Sequence, residues 1–296
     1  MRTRNLGRRL VTAVPMLWLL LFFMVPFILV FGISFSQAQL SIPPYAPLWE
    51  WVDHRVLALR VHLSNYAFLA TDALYISSYL YSLKVAAIST FWCLLLGYPM
   101  AYGIARAAPA TRSLLLMLVI LPFWTSFLLR VYAWIGLLKN NGVINNILMS
   151  LGVIHQPIVM MQTDFAVYIG IVYSYLPFMI LPLYANLEKH DRTLLEAAAD
   201  LGARPWKAFQ RVTLPLSRPG IIAGALLVFI PAVGEYVIPS LLGRSDQLMI
   251  GRVLSDEFFE NRDWPVASAV AIAMLLLLVI PIVIFQRQQG RELVHK

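Results

Sequence analysis

The sequence predicts an all-α membrane protein with six spanning helices. Of its 296 residues, 60% are hydrophobic and 13% are charged, whereas about 25% are charged in a typical soluble domain. So few charges cannot cover a soluble globule of this length, and so many apolar residues exclude a disordered chain. Six apolar runs approach or exceed the length of about 20 residues that crosses a bilayer. They are Val14–Phe35, Tyr79–Ala105, Ser113–Leu138, Phe165–Leu187, Gly220–Leu242 and Val266–Phe285.

The first run is predicted to stay in the mature protein as a spanning helix. Four arginines precede it, as basic residues precede the core of a signal peptide. A signal peptide, however, has an apolar core of about 7–15 residues. This run is longer and contains Pro15 and Pro26. We therefore expect a short tail over residues 1–13 followed by the first span.

The distribution of basic residues predicts that both termini face the cytoplasm. With the N-terminus inside, most of the 23 lysines and arginines fall in inner segments, as the positive-inside rule requires. The net charge of +8 then reflects orientation in a membrane rather than a nucleic-acid partner. The predicted organisation is a cytoplasmic tail 1–13, a six-span domain 14–288 and a cytoplasmic tail 289–296. The inner basic residues are Arg2, Arg4, Arg8, Arg9, Arg106, Arg112, Lys189, Arg192, Arg204, Lys207, Arg211, Arg218, Arg287, Arg291 and Lys296.

The long inner loop 188–219 is predicted to form two short helices joined at a glycine. Asp191 or Thr193 can cap the first helix, and Glu196 stands three residues after Thr193, as a capping box requires. Gly202 suits the C-terminus of this helix. Pro205 then prevents the first helix from continuing. A second short amphipathic stretch, Trp206–Val212, is predicted to end at Leu214-Pro215.

Two interpretations of this loop are open from its residues. Its composition favours an amphipathic segment that rests on lipid headgroups. Its spacing, however, resembles the EAA loop of permease subunits in binding-protein-dependent ABC importers: a Glu-Ala-Ala triplet, three residues, a glycine, nine residues and a Val-Thr-Leu-Pro run, where the family has isoleucine in place of the valine. The residues that carry the likeness are Glu196, Ala197, Ala198, Gly202, Val212, Thr213, Leu214 and Pro215.

This resemblance implies the type I importer permease fold, with short cytoplasmic coupling helices that dock on a separate ATPase. The chain has no Gly-x-x-x-x-Gly-Lys-Ser/Thr phosphate loop, so it does not bind ATP in that manner. ATP and Mg²⁺ then belong to the partner ATPase. We expect no catalytic residue, metal or cofactor in this chain. The implied ATPase-coupling residues are Glu196, Ala197, Ala198, Gly202, Leu214 and Pro215.

Two charges inside predicted spans need an explanation, because a charge in a bilayer is costly. Arg130 lies in span three and Glu235 in span five. Counted along straight helices at 1.5 Å per residue, both lie about 10–12 Å below the outer edge. They can therefore form a structural ion pair. Alternatively, Glu235 lines the transport route and attracts a cation.

Other candidates for a cation route lie near these charges along the sequence. Trp124, Tyr173 and Tyr236 offer aromatic faces, which attract ammonium groups by about 0.5–2 kcal/mol. Most such rings serve packing or the interfacial belt. Asp164 stands at the outer mouth of span four, where it also suits a solvated helix cap. The candidate route is thus Glu235, Tyr236, Trp124, Tyr173 and Asp164.

Further segments resemble the permease subunits of bacterial polyamine importers, in particular those for putrescine. The resemblance implies a second, unlike permease subunit, two ATPase subunits and a periplasmic polyamine-binding protein, all at the bacterial inner membrane and with no nucleic acid. The segments are Pro122–Trp134, Leu138–Gly142, Pro231–Gly243, Met249–Val253 and Asn261–Ala269.

The expected function is therefore ATP-driven import of a polyamine by alternating access. Spermidine or another organic cation is the nearer alternative to putrescine. A more distant alternative is a stand-alone secondary cation transporter that uses Glu235. Six spans are few for such a carrier, and the sequence shows no inverted repeat.

Overall fold

A computed structural model describes residues 2–52, 56–191 and 193–294, with side chains for 11–49, 60–191 and 193–283. Four of its helices are long and apolar enough to cross a membrane, or six if each of two bent pairs forms one span. The predicted all-α membrane class is confirmed. The predicted inner residues Arg192 and Lys296 lie outside the described residues.

The described part of the chain is mostly helical. Short π-helical turns at Leu20–Met24, Phe209–Thr213 and Asp256–Glu260 and a 3₁₀ turn at Leu121–Trp124 connect some of the helices. The helices are α1 Arg2–Leu19, α2 Val25–Ile33, α3 Ser64–Thr71, α4 Ala73–Arg106, α5 Pro109–Ile120, α6 Phe127–Leu138, α7 Val143–Ser150, α8 Asp164–Leu187, α9 Thr193–Asp200, α10 Pro205–Ala208, α11 Leu214–Leu216, α12 Arg218–Val233, α13 Val237–Leu242, α14 Ile250–Ser255 and α15 Trp264–Val294.

The chain divides into two compact units, of which the first comprises Met1–Ile76 and Val253–Leu277. It contains a hairpin that the sequence pattern did not predict. Strand β1, Trp49–Val52, pairs antiparallel with β2, Val56–Leu59. A hairpin of two four-residue strands in a long connecting segment leaves the helical class unchanged.

The first span, Val11–Ile33, also belongs to this unit, and none of the window that defines it is buried within the chain. Its helix is continuous through a π-helical turn that ends two residues before Pro26. A widened turn gives room to a proline ring that would otherwise clash with the preceding turn. The span therefore remains unbroken.

The second unit, Ser77–Arg252 with Leu278–Lys296, is built on α4, α8 and α12. Its buried cluster includes Cys93 of α4, Met179 and Leu183 of α8 and Val228 of α12. Small residues let these helices approach: a Cβ at Gly224 would lie 3.1 Å from the backbone oxygen of Met179. This core fixes the elements that carry the candidate sites.

The predicted third span, Ser113–Leu138, is not one straight helix. The chain bends by 90° between Pro109–Trp124 and Phe127–Ser150. Thr125 is extended at the bend, with φ −100° and ψ 152°, and its hydroxyl donates to the carbonyl of Pro122 at 2.8 Å. A proline and a hydroxyl that bonds to the local backbone together favour a helix break here.

The predicted fifth span, Gly220–Leu242, is also interrupted. Helix α12 ends at Val233 and α13 begins at Val237, so Glu235 lies in the break. A second bend of 63° separates Pro205–Leu216 from Arg218–Val233. Neither span three nor span five is straight. The depths of Arg130 and Glu235 below the outer edge, which were counted along straight helices, therefore do not apply.

Candidate functional site

The inner loop forms the two short helices that the sequence predicts. Asp191 caps α9, since its Oδ1 accepts the N–H of Thr193 at 2.9 Å. This decides between the two candidate caps, because Thr193 is the first residue of the helix. The same hydrogen bond, which favours the ionised carboxylate, lowers the pKa of Asp191.

Gly202 ends α9 in a left-handed conformation, with φ +78°. Its N–H donates to the carbonyl of Ala199 at 2.8 Å, and that of Ala203 donates to Ala198 at 2.9 Å. These two bonds form a Schellman motif, which satisfies free carbonyls and reverses the chain. Side chains strain this conformation, which explains the glycine.

The first helix of the inner loop, α9, is an exposed surface element. None of the residues Thr193–Asp200 is buried. Glu196 and Ala197 are exposed and Ala198 is half-buried. Leu201, which follows, is 89% exposed. An exposed rigid helix with small side chains has the geometry needed to enter a groove on another protein.

The second helix is longer than the predicted Trp206–Val212. The chain is helical from Pro205 to Leu216, through a π-helical turn at Phe209–Thr213. Pro215 therefore lies inside the helix and does not end it at that point. Leu214 and Pro215 lie on the second helix and not on the exposed first one. Leu214 is exposed and Pro215 is half-buried.

Glu235 lies at the break between α12 and α13 and is only 7% exposed. Its Oε1 accepts the N–H groups of Val237 at 3.1 Å and Ile238 at 3.3 Å, which begin α13. Its Oε2 accepts the hydroxyl proton of Tyr175 from α8. A carboxylate at a helix N-terminus is stabilised by these free N–H groups. Because Oε2 accepts one bond, it retains a site for a further donor.

The predicted ion pair between Arg130 and Glu235 is corrected by the structure. Within the described part of the chain, the guanidinium of Arg130 lies over the rings of Phe123 and Phe127, 5.5 and 5.7 Å from their centroids. The carboxylate of Glu235 has the three donors given above instead. The 90° bend turns α6, which carries Arg130, away from the straight path on which the pairing was predicted.

The remaining route candidates lie in different surroundings. Trp124 is 76% exposed, and Tyr236 is exposed beside Glu235 in the sequence. Asp164 is the first residue of α8 and accepts the hydroxyl of Tyr81 at 2.9 Å. The cap of α8 is Thr163, whose side chain accepts the N–H of Ala166, so Asp164 is not that cap.

Tyr173 lines an apolar groove of about 480 Å³ with Trp92, Trp134, Phe165 and Tyr168. Its ring packs edge-on against Trp134 with centroids 5.5 Å apart. The described residues that line this groove include no acidic side chain. The structure therefore brings Glu235 and an aromatic hydroxyl together, but through Tyr175 rather than through Tyr173 or Trp124.

Three partners of Glu235 were not among the candidate site residues: Tyr175 and the N–H groups of Val237 and Ile238. A signal for the backbone partners was present, because Gly234 suits the end of one helix and a carboxylate suits the start of the next. Tyr175 lies in predicted span four, two residues after the candidate Tyr173. Its position opposite Glu235 depends on how α8 packs, which the sequence does not give.

The break that holds Glu235 is packed closely against α14. A Cβ at Gly251 would lie 2.8 Å from the carbonyl oxygen of Glu235 and would also contact that of Gly234. Neither backbone oxygen can be displaced by a rotamer change. Gly251 therefore holds the break in place.

Gly251→Ala is expected to destabilise the folded protein, because overpacking costs about 1–3 kcal/mol. The midpoint of thermal unfolding in detergent measures this effect. Gly136→Ala in α6 is the matched control, since a Cβ there would meet nothing within 4 Å among the described residues outside its own helix backbone. Equal midpoints for the two variants would contradict this account of the break.

Comparison with known proteins places these features in context. The family model described as "Binding-protein-dependent transport system inner membrane component" matches residues 2–294. The spermidine/putrescine transport system permease protein PotB of Haemophilus influenzae is 40% identical over 283 residues, which are 96% of this chain and 94% of the relative. PotB of Escherichia coli is 41% identical over 270 residues, 91% of this chain and 93% of the relative.

Solved structures agree in fold. A bacterial alginate ABC transporter in complex with its alginate-bound periplasmic protein contains a chain that matches with a TM-score of 0.70 at 16% identity. The match covers 97% of this chain and 96% of that one. A chain of the MetNI methionine ABC transporter matches with a TM-score of 0.54 at 16% identity, over 72% of this chain and 94% of that one.

Proposed function

The chain belongs to the family of binding-protein-dependent transport system inner membrane components, and on that premise we propose that it is the permease subunit of an ATP-driven polyamine importer. It carries putrescine or spermidine from periplasm to cytoplasm by alternating access. The PotB relatives, which are named as spermidine/putrescine transport permeases, support this substrate class.

The observation that supports the proposed ATPase coupling is the exposed helix α9 of the inner loop, which ends at Gly202. Because this helix buries no residue in its own chain, its surface is available to a partner. We assign ATP hydrolysis to a separate pair of ATPase subunits that receive α9. Glu196, Ala197, Ala198 and Gly202 form the docking helix and its turn, and the second helix returns the chain to the membrane.

Glu235 is the proposed cation-attracting group of the route. A polyamine is a chain of ammonium groups, and a carboxylate inside the membrane lowers the cost of bringing such a charge there. Tyr175 orients this carboxylate by its hydrogen bond. The free acceptor site on Oε2 allows an ammonium to bind without displacing the N–H groups of α13.

The proposed importer contains further subunits besides the ATPases. A second permease subunit pairs with this chain, and a periplasmic polyamine-binding protein delivers substrate to the outer side. The excess of basic residues in the inner segments supports cytoplasmic termini. The chain itself makes and breaks no bond, and needs no cofactor of its own.

The test is uptake of labelled putrescine and spermidine by cells without polyamine importers of their own. The cells express this gene with its genomic neighbours or alone. We expect uptake that requires all the subunits and cellular ATP and that persists when the proton gradient is dissipated. Uptake by this chain alone, driven by the proton gradient, would instead favour a secondary transporter.

A further inference from the structure

Arg112 links the N-terminal end of the inner loop, here called its entrance, to the C-terminal end of α4. This residue lies in the first turn of α5, and its Nη1 donates to Oε1 of Glu188 at 2.6 Å. Its Nη2 donates to the carbonyls of Ala105 at 3.3 Å and Ala107 at 3.4 Å, at the end of α4. Glu188 directly follows α8. One guanidinium thus joins the C-terminal ends of two helices, where a cation is favoured by the helix dipoles.

Tyr98 links the C-terminal end of the inner loop, here called its exit, to α4. Ser217 is fully buried at the 63° bend that precedes α12. Its hydroxyl donates to the carbonyl of Thr213 at 2.6 Å, which uses its only proton. Tyr98 of α4 is therefore the donor in the 2.8 Å bond between the two hydroxyls. The ring of Phe209 packs edge-on against Tyr98, with centroids 5.7 Å apart.

These contacts leave α4 as a common anchor for both ends of a loop whose first helix buries nothing. A displacement of α9 by a partner can reach the membrane only through the ends of the loop. Packed helices transmit such a displacement as rigid bodies. The inner end of α4 is therefore held to the entrance by the guanidinium of Arg112, which bonds to both Glu188 and the carbonyl of Ala105. It is held to the exit by the hydroxyl pair of Tyr98 and Ser217.

We propose that Arg112 and Tyr98 are positioning residues that make the inner end of α4 move with the coupling loop, so that ATP-driven motion reaches the transport route. This inference rests on the proposed function. Neither residue touches ATP or substrate in this role. Both act by keeping the loop from moving independently of the membrane helices.

The test uses the complete complex, purified with its partner subunits and binding protein and reconstituted in liposomes. Labelled putrescine uptake and ATP hydrolysis are measured in the same vesicles. For Arg112→Gln we expect uptake per ATP hydrolysed to fall about fivefold or more, with assembly and ATP hydrolysis retained. Tyr98→Phe is expected to shift the same ratio in the same direction.

Matched controls isolate the two contacts. Arg106→Gln removes a neighbouring cation that lies over the ring of Tyr102, 4.9 Å from its centroid, within α4. Tyr102→Phe removes a hydroxyl from the same helix. Both controls are expected to keep the normal ratio. The double variant Arg112→Glu with Glu188→Arg is expected to recover part of the uptake per ATP hydrolysed. Neither single variant is expected to recover it.

A second measurement, which does not depend on transport, tests whether Arg112 holds the entrance of the inner loop in place. Hydrogen exchange of the backbone N–H groups of Glu188, Lys189 and His190, which bond to the last turn of α8, is expected to accelerate in Arg112→Gln and not in Arg106→Gln. An unchanged ratio and unchanged exchange in assembled Arg112→Gln complex would overturn the inference. If the unmodified complex imports no polyamine, the proposed function fails, and hydrogen exchange still decides the anchoring.

Discussion

Replacing Gly202 with tryptophan is expected to abolish ATP-dependent polyamine uptake while the two permease subunits still assemble with each other. Gly202 has a φ of +78°, and among the described residues, apart from its chain neighbours, nothing lies within 4 Å of a Cβ built on it. The side chain of residue 202 therefore starts into open space. It projects from the turn beside the exposed helix Thr193–Asp200, where it obstructs docking of the ATPase.

A graded series separates obstruction from backbone strain. Gly202→Asn tolerates a positive φ and is expected to retain most uptake, whereas Gly202→Ala carries a strain of roughly 1–2 kcal/mol. Gly202→Trp shares this strain and adds only bulk. Because overpacking an interface costs about 1–3 kcal/mol, we expect its uptake to be at least about tenfold below that of the alanine variant.

The measurement is labelled putrescine uptake, together with co-purification of the ATPase subunits. Loss of uptake in Gly202→Trp with the permease pair still intact supports the coupling role. Equal uptake in the alanine and tryptophan variants would show that nothing docks at this turn, and the assignment of the loop would fail.

Glu235→Gln is expected to reduce uptake by about tenfold or more without loss of assembly. Glutamine keeps a carbonyl oxygen that can accept the N–H groups of Val237 and Ile238, so α13 retains its cap. It removes the negative charge that the route offers to an ammonium group. A charge-assisted hydrogen bond contributes about 1.5–3 kcal/mol, which corresponds to a change of about tenfold or more.

Tyr175→Phe is the matched control, because it removes the hydroxyl donor to Glu235 and leaves the charge. Its uptake is expected to stay well above that of Glu235→Gln. If both assembled variants transport normally, the carboxylate serves only the helix break. If Glu235→Gln does not assemble, the charge itself is needed for folding, and a role in the route would need support from another residue.

The sequence determined the order of the apolar segments, the two-helix inner loop and the residues of its turn. These features are local. Hydropathy over about 20 residues decides what enters a membrane, and a glycine followed by a proline decides where a short helix ends. Gly202 adopted the left-handed conformation that its position predicted.

Only the tertiary structure decided what Arg130 and Glu235 contact. Residue counting gave them equal depth, but the bend at Thr125 and the break at Gly234 removed the straight helices that this count assumed. The rotation of α8 then placed Tyr175, and not Tyr173, against the carboxylate. Likewise, Arg112 and Tyr98 meet Glu188 and Ser217 because of helix packing across 76 and 119 residues of chain. Local pattern fixes the elements, whereas side-chain partners depend on bends and rotations that arise only when the helices pack together.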